Sequence, residues 1–258
     1  MTSLDHRLRG PDGASILVLS NSLGTTQELW ERQLPALAEH VRVLTYDHPG
    51  HGSSAPPQQP CTVESLAHGL LQLLDELGLG RVSLCGVSLG GMVGMALALE
   101  APERVERLVL ACTSAYLGPP EGWAKRARIV RAEGVEAVAD TVVGRWFTSG
   151  LAGEEPQTVA RFRAMLTATP REGYARCCEA VGAWDARERI SAIAAPVLVI
   201  AGDEDPATPV AHAELIASRV AESRLVVLAR AGHLANVERA DAFTAAVLEH
   251  LGQEVVAA

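Results

Sequence analysis

Apolar residues fall into two alternating patterns along this chain. Short runs dominated by aliphatic residues recur at Ile16–Ser20, Val41–Asp47, Val82–Cys85, Arg107–Ala111, Pro196–Ala201 and Arg224–Leu228. Such runs predict strands buried on both faces, the habit of a mostly parallel sheet. Between them lie stretches of helical periodicity: Thr62–Leu77, Ser88–Ala101, Val210–Val220 and Asp241–Leu251. In the first of these, Leu66, Leu70, Leu73, Leu74 and Leu77 repeat at spacings of three and four, and Gly78 stops the helix. The alternation predicts an α/β fold, a mostly parallel sheet flanked by helices.

One stretch breaks the rhythm. From Gly118 to about Arg189 no strand pattern occurs, only helical runs punctuated by Gly134, Gly153, Pro156, Pro170 and Gly173. This predicts an inserted helical cap over the residues 118–189, with a core built from 1–117 and 190–258. No internal repeat or low-complexity segment is found.

Composition narrows the classes of function. With 258 residues and 48% hydrophobic content the chain can bury a sizeable core. A net charge of −9 without any basic tract argues against a nucleic-acid partner. Lys125 is the sole lysine, so almost all positive charge is arginine, a side chain suited to recognising carboxylates. The five cysteines (Cys61, Cys85, Cys112, Cys177, Cys178) make no C-x-x-C pair, which fits a reducing compartment. Met1–Arg7 has no apolar run of signal-peptide type, and no segment reaches membrane-spanning length. A cytoplasmic protein without membrane association is therefore expected, and the oligomeric state is left open.

The chemical signal is Gly86-Val87-Ser88-Leu89-Gly90, placed directly after a strand pattern and before a helical one. A sharp strand-to-helix turn at serine exposes its hydroxyl beside a helix N-terminus, and the flanking glycines let the turn close. A serine hydroxyl needs a base, and the base needs something to orient it. The expected chain order is serine, acid, histidine. Asp203, Glu204 and Asp205 follow the strand at Pro196–Ala201 and compete for the acid's role. Asp205 is favoured, because Pro206 holds it extended and two spacer residues let its carboxylate turn back. His233 sits on a glycine-preceded loop; His212 and His250, the other histidines after the acid, lie in helical patterns expected to face outward. The backbone N–H groups of Leu89 and Leu23 are the candidate oxyanion donors. Asp47-His48-Pro49-Gly50-His51-Gly52 precedes the elbow and reads as a structural turn; no third ligand accompanies its histidines, so no metal is expected.

These motifs resemble the 3-oxoadipate enol-lactonase family of α/β-hydrolases. The residues carrying the resemblance are Ser20-Asn21-Ser22-Leu23-Gly24-Thr25, Gly86–Met92, Arg145-Trp146-Phe147-Thr148, Gly173–Ala180, Asp203–Pro209 and Gly232–Glu238. The resemblance implies an α/β-hydrolase fold with a helical cap, a triad of Ser88, Asp205 and His233, and no cofactor. It implies hydrolysis of an enol-lactone through an acyl-enzyme. The substrate of that family carries a free carboxylate, for which Arg145, Arg128 and Lys125 are candidate partners, with Trp146 and Trp123 as apolar walls. Two positions depart from the family pattern, Pro49 and Met95, both expected near the pocket. A general carboxylesterase or a cofactor-free perhydrolase would use the same triad. A small-molecule receptor on the same fold is disfavoured, because the cap shows no long exposed apolar face. Relatives of this kind also occur fused to a carboxymuconolactone decarboxylase.

Overall fold

The computed structural model describes residues 4–57 and 61–253. Seven strands form one sheet in the order β1-β3-β2-β4-β5-β6-β7. They are β1 (His6–Arg9), β2 (Ile16–Ser20), β3 (Arg42–Tyr46), β4 (Val82–Val87), β5 (Val105–Ala111), β6 (Val197–Gly202) and β7 (Ser223–Leu228). Every pair is parallel except β1 with β3, where His6 stands opposite Tyr46. The six apolar runs of the sequence are the six parallel strands. The strand they do not reveal is β1, which is polar and largely exposed at the sheet's edge and so carries no apolar signal.

The helices are α1 (Leu34–His40), α2 (Val63–Glu76), α3 (Leu89–Glu100), α4 (Pro120–Glu133), α5 (Glu136–Trp146), α6 (Ser149–Glu154), α7 (Pro156–Thr167), α8 (Arg171–Ala183), α9 (Val210–Arg219), α10 (Ala235–Glu238) and α11 (Ala240–His250). Thr62 begins α2 with a capping box, its side chain accepting from the Ser65 N–H while the Ser65 hydroxyl accepts from the Thr62 N–H. Helix α3 is buried on every side over Leu89–Ala98, and so shows no amphipathic stripe. Helices α4 to α8 occupy the stretch between β5 and β6 where the sequence lacks strand patterns. Among the described residues, no helix is long and apolar enough to cross a membrane.

Candidate active site

Ser88 joins β4 to α3 with φ 56° and ψ −115°, a conformation L-residues avoid. Two hydrogen bonds hold it there. Its N–H donates to Ala111 O at 2.9 Å, and its carbonyl accepts from the Thr113 hydroxyl at 2.6 Å. The turn can close only with glycine beside it: a Cβ on Gly90 would stand 2.0 Å from Ser20 O, and one on Gly86 2.2 Å from Gly90 O.

The loops after β6 and β7 bring two side chains to this hydroxyl. His233 Nε2 lies 2.9 Å from Ser88 Oγ, and His233 Nδ1 lies 2.8 Å from Asp205 Oδ2. All three residues are buried. Asp205 Oδ1 accepts the N–H groups of Ala207 (2.7 Å) and Thr208 (3.0 Å), and Oδ2 also accepts the Thr208 hydroxyl (2.6 Å). Burial pushes this carboxyl upward, but the charge and hydrogen bond of His233 and the Thr208 donors together hold it below its usual value. It is therefore an anion at neutral pH, aimed at the imidazole. Asp203 and Glu204 are exposed, and the Asp203 carboxylate accepts from the Ala231 N–H at 3.2 Å, its one hydrogen bond among the described residues. Among the three competing carboxylates, only Asp205 meets the histidine.

The His233 loop is anchored to the end of α5. Glu238 accepts from Gly232 N–H at 2.6 Å, from Thr148 N–H at 3.0 Å and from the Thr148 hydroxyl, while Leu234 N–H donates to Trp146 O at 3.0 Å. Thr208, Thr113 and Glu238 thus hold the constellation without a sequence motif that announces them. The other histidines after the acid do not face outward as expected. His212 and His250 are half-buried, and His212 Nδ1 is engaged with the Ser114 hydroxyl at 2.7 Å.

A cavity of about 340 Å³ opens over Ser88 and His233. Leu23 lines it, and among the described residues neither the Leu23 nor the Leu89 N–H donates to a protein acceptor. Trp123, Arg126, Arg145, Trp146 and Tyr174 enclose it from α4, α5 and α8. Of the cations expected here, Arg145 lines the cavity, whereas Lys125 and Arg128 are exposed and do not. Arg126 takes their place. It lies three residues after Trp123, on the same face of α4, with its guanidinium 4.5 Å from the indole centroid. Lys125 and Arg128 are rotated away from that face, so helical spacing from Trp123 was the signal that identifies Arg126. Neither Arg126 nor Arg145 has a carboxylate in salt-bridge reach among the described residues. Tyr174 is fully buried, and among the described residues Arg126 is the polar side chain that faces its hydroxyl, at a distance beyond a regular hydrogen bond. Burial raises its pKa, so it remains a protonated donor beside Arg126. Pro49 and Met95, expected near the pocket, are both buried and neither is among the residues that line the cavity; Met95 packs into the core from α3.

Residues 16–240 match the family model described as alpha/beta hydrolase fold. A curated relative, 3-oxoadipate enol-lactonase 2 of Acinetobacter baylyi, is 38% identical over 245 residues, covering 95% of this chain and 91% of its own. The solved enol-lactonase from Burkholderia xenovorans LB400 is 43% identical with a TM-score of 0.95, covering 98% of this chain and 97% of that one. A solved hydrolase from Pseudomonas aeruginosa PA01 is 48% identical with a TM-score of 0.93, covering 97% and 95% of the two chains.

Proposed function

The chain belongs to the α/β-hydrolase fold family as a serine hydrolase acting on esters or lactones, and from that premise we propose that it opens 3-oxoadipate enol-lactone through an acyl-enzyme on Ser88. Ser88 Oγ attacks the lactone carbonyl while His233 Nε2 takes its proton. Asp205, fixed by two backbone N–H groups, keeps the other imidazole nitrogen protonated and stabilises the imidazolium that forms. The Leu23 and Leu89 N–H groups receive the developing oxyanion. Collapse of the tetrahedral intermediate expels the ring oxygen as an enolate, which takes a proton and becomes a ketone, so the ring does not re-close. Water, deprotonated by His233, then releases the second carboxylate from Ser88.

The choice of substrate rests on a pair of arginines, Arg126 and Arg145, that have no carboxylate partner among the described residues and stand in a cavity wall whose other members away from Ser88 and His233 are mostly aromatic and aliphatic. A cation in such surroundings favours an anionic ligand. Arg126, with the Tyr174 hydroxyl beside it, binds the free carboxylate and thereby places the lactone carbonyl over Ser88. Residues 118–189 act as a lid that supplies this recognition, while the rest of the chain supplies the chemistry. The test is kcat/KM for the enol-lactone against neutral aryl esters. The lactone is expected to be preferred by at least tenfold, the smaller end of what one charge-assisted hydrogen bond contributes (about 1.5–3 kcal/mol). Equal efficiency would make the protein a general carboxylesterase with the same triad.

A further inference from the structure

The turn that follows β3 holds two buried histidines that the triad does not use, and both are turned onto the loop that carries Leu23. His48 Nε2 lies 2.9 Å from Asn21 O, and His51 Nε2 accepts the Gly24 N–H at 3.1 Å. The partners dictate the protons. A carbonyl only accepts, so His48 is protonated at Nε2; an amide N–H only donates, so His51 presents a bare Nε2 and carries its proton on Nδ1, which faces Pro49 O at 3.3 Å. His51 must be neutral for this arrangement, and burial pushes both rings that way, His48 down to about 3 and His51 down to about 4.

The loop between them is a tight turn. Thr25 N–H returns to Ser22 O at 3.2 Å, the Thr25 hydroxyl reaches the same oxygen at 2.8 Å, and Gly24 has φ 79°. A positive φ at the third position of a four-residue turn marks one of two orientations of the central peptide, and the flipped orientation, with negative φ, is also open to glycine. That peptide joins Leu23 to Gly24, and its N–H is the group His51 holds. We propose that His51 is a positioning residue for the oxyanion hole: by accepting the Gly24 N–H it locks the central peptide of the Ser22–Thr25 turn and fixes the direction of the neighbouring Leu23 N–H. His48 anchors the same loop at its start, through Asn21. The inference rests on the reading that Leu23 N–H receives the oxyanion formed by attack of Ser88.

The variants that test it are His51→Gln, whose amide oxygen reaches the place of Nε2 and still accepts, and His51→Phe, which keeps the volume but leaves the Gly24 N–H buried without a partner. With the enol-lactone, His51→Phe should lower kcat on the order of 10- to 100-fold at nearly unchanged KM, since one oxyanion donor is worth up to roughly 10²–10³. Affinity for a boronic acid, which forms a tetrahedral adduct on the serine, should fall by the same factor, and affinity for the 3-oxoadipate product should not. His51→Gln should restore both kcat and boronic acid affinity to within a few-fold of the wild type. If His51→Phe folds with kcat and boronic acid affinity unchanged, or if Gln is as impaired as Phe, the positioning role is overturned. Should His51→Phe not fold, ¹⁵N spectra of the wild type decide it: His51 protonated at Nε2 refutes the lock, and protonation at Nδ1 with a scalar coupling across Gly24 N–H to Nε2 supports it. Absence of a boronate adduct on Ser88 in the wild type would instead refute the nucleophile reading on which the inference stands.

Discussion

Replacing Asp205 by Asn should abolish turnover through a single proton, and the outcome follows from the local hydrogen bonds. Asp205 Oδ1 receives two backbone N–H groups, from Ala207 at 2.7 Å and Thr208 at 3.0 Å. In Asp205→Asn those donors keep the amide oxygen at the Oδ1 position, because the alternative sets an NH₂ group against two N–H groups. The NH₂ must then occupy the Oδ2 position, 2.8 Å from His233 Nδ1. An NH₂ only donates, so Nδ1 becomes the acceptor and the imidazole proton moves to Nε2, facing Ser88. The ring then has no lone pair with which to take the serine proton. The loss expected from a wrong tautomer is roughly 10⁴ in kcat, or about 5.5 kcal/mol of transition-state stabilisation. Asp203→Asn keeps an oxygen for the Ala231 N–H, the one side-chain hydrogen bond Asp203 makes among the described residues, and lies on the surface. It should change kcat by less than about threefold. Steady-state hydrolysis of the enol-lactone by the two variants, with thermal melts to show that both are folded, makes the comparison. The reverse ranking would place the orienting acid two residues earlier. A loss below tenfold for both would mean that no carboxylate in this loop governs the tautomer.

Ser88→Ala should fold like the wild type and retain less than about 1% of its activity; greater turnover in a preparation free of other esterases would refute the nucleophile. Arg126→Gln should reduce kcat/KM for the lactone roughly ten- to a hundredfold yet leave its methyl ester, in which the carboxylate is masked, nearly unaffected; equal losses on both would assign Arg126 to packing on Trp123. Stability should fall on acidification from about pH 6.5, where unfolded imidazole begins to take up protons, towards the folded-state values of about 3 for His48 and about 4 for His51. A lowered folded-state pKa means that the unfolded chain binds the extra proton, so the sign is loss at low pH, about 2 kcal/mol for each ring at pH 5. Urea unfolding at pH 7.5 and pH 5 measures it, and His51→Gln should shrink that difference by about 2 kcal/mol, the share of its own ring; an unchanged difference would refute the assignment.

Ser88, Asp205 and His233 were legible in the chain because each sits in a local pattern that reports its backbone: a glycine-flanked turn after a strand, a carboxylate before proline at a strand's end, a histidine after glycine. The parallel strands were legible for a similar reason, since burial on both faces demands unbroken apolar runs. Strand β1 was not, because an edge strand with one exposed face needs no such run. Local pattern also says nothing about partners distant in sequence. Thr113 clamping Ser88, Glu238 joining the His233 loop to Thr148, and His51 accepting from Gly24 are contacts across 25, 90 and 27 positions. Arg126 differs from its neighbours Lys125 and Arg128 only in the direction it leaves α4, and that direction gains meaning once α4 packs above Ser88. The sequence by itself determined the order of the parallel strands and the candidate groups for the chemistry, because those depend on neighbours along the chain. The tertiary structure decided which carboxylate meets the histidine, which arginine faces the cavity and what holds the loop that carries Leu23, because each depends on the relative placement of segments that only the packed sheet and helices bring together.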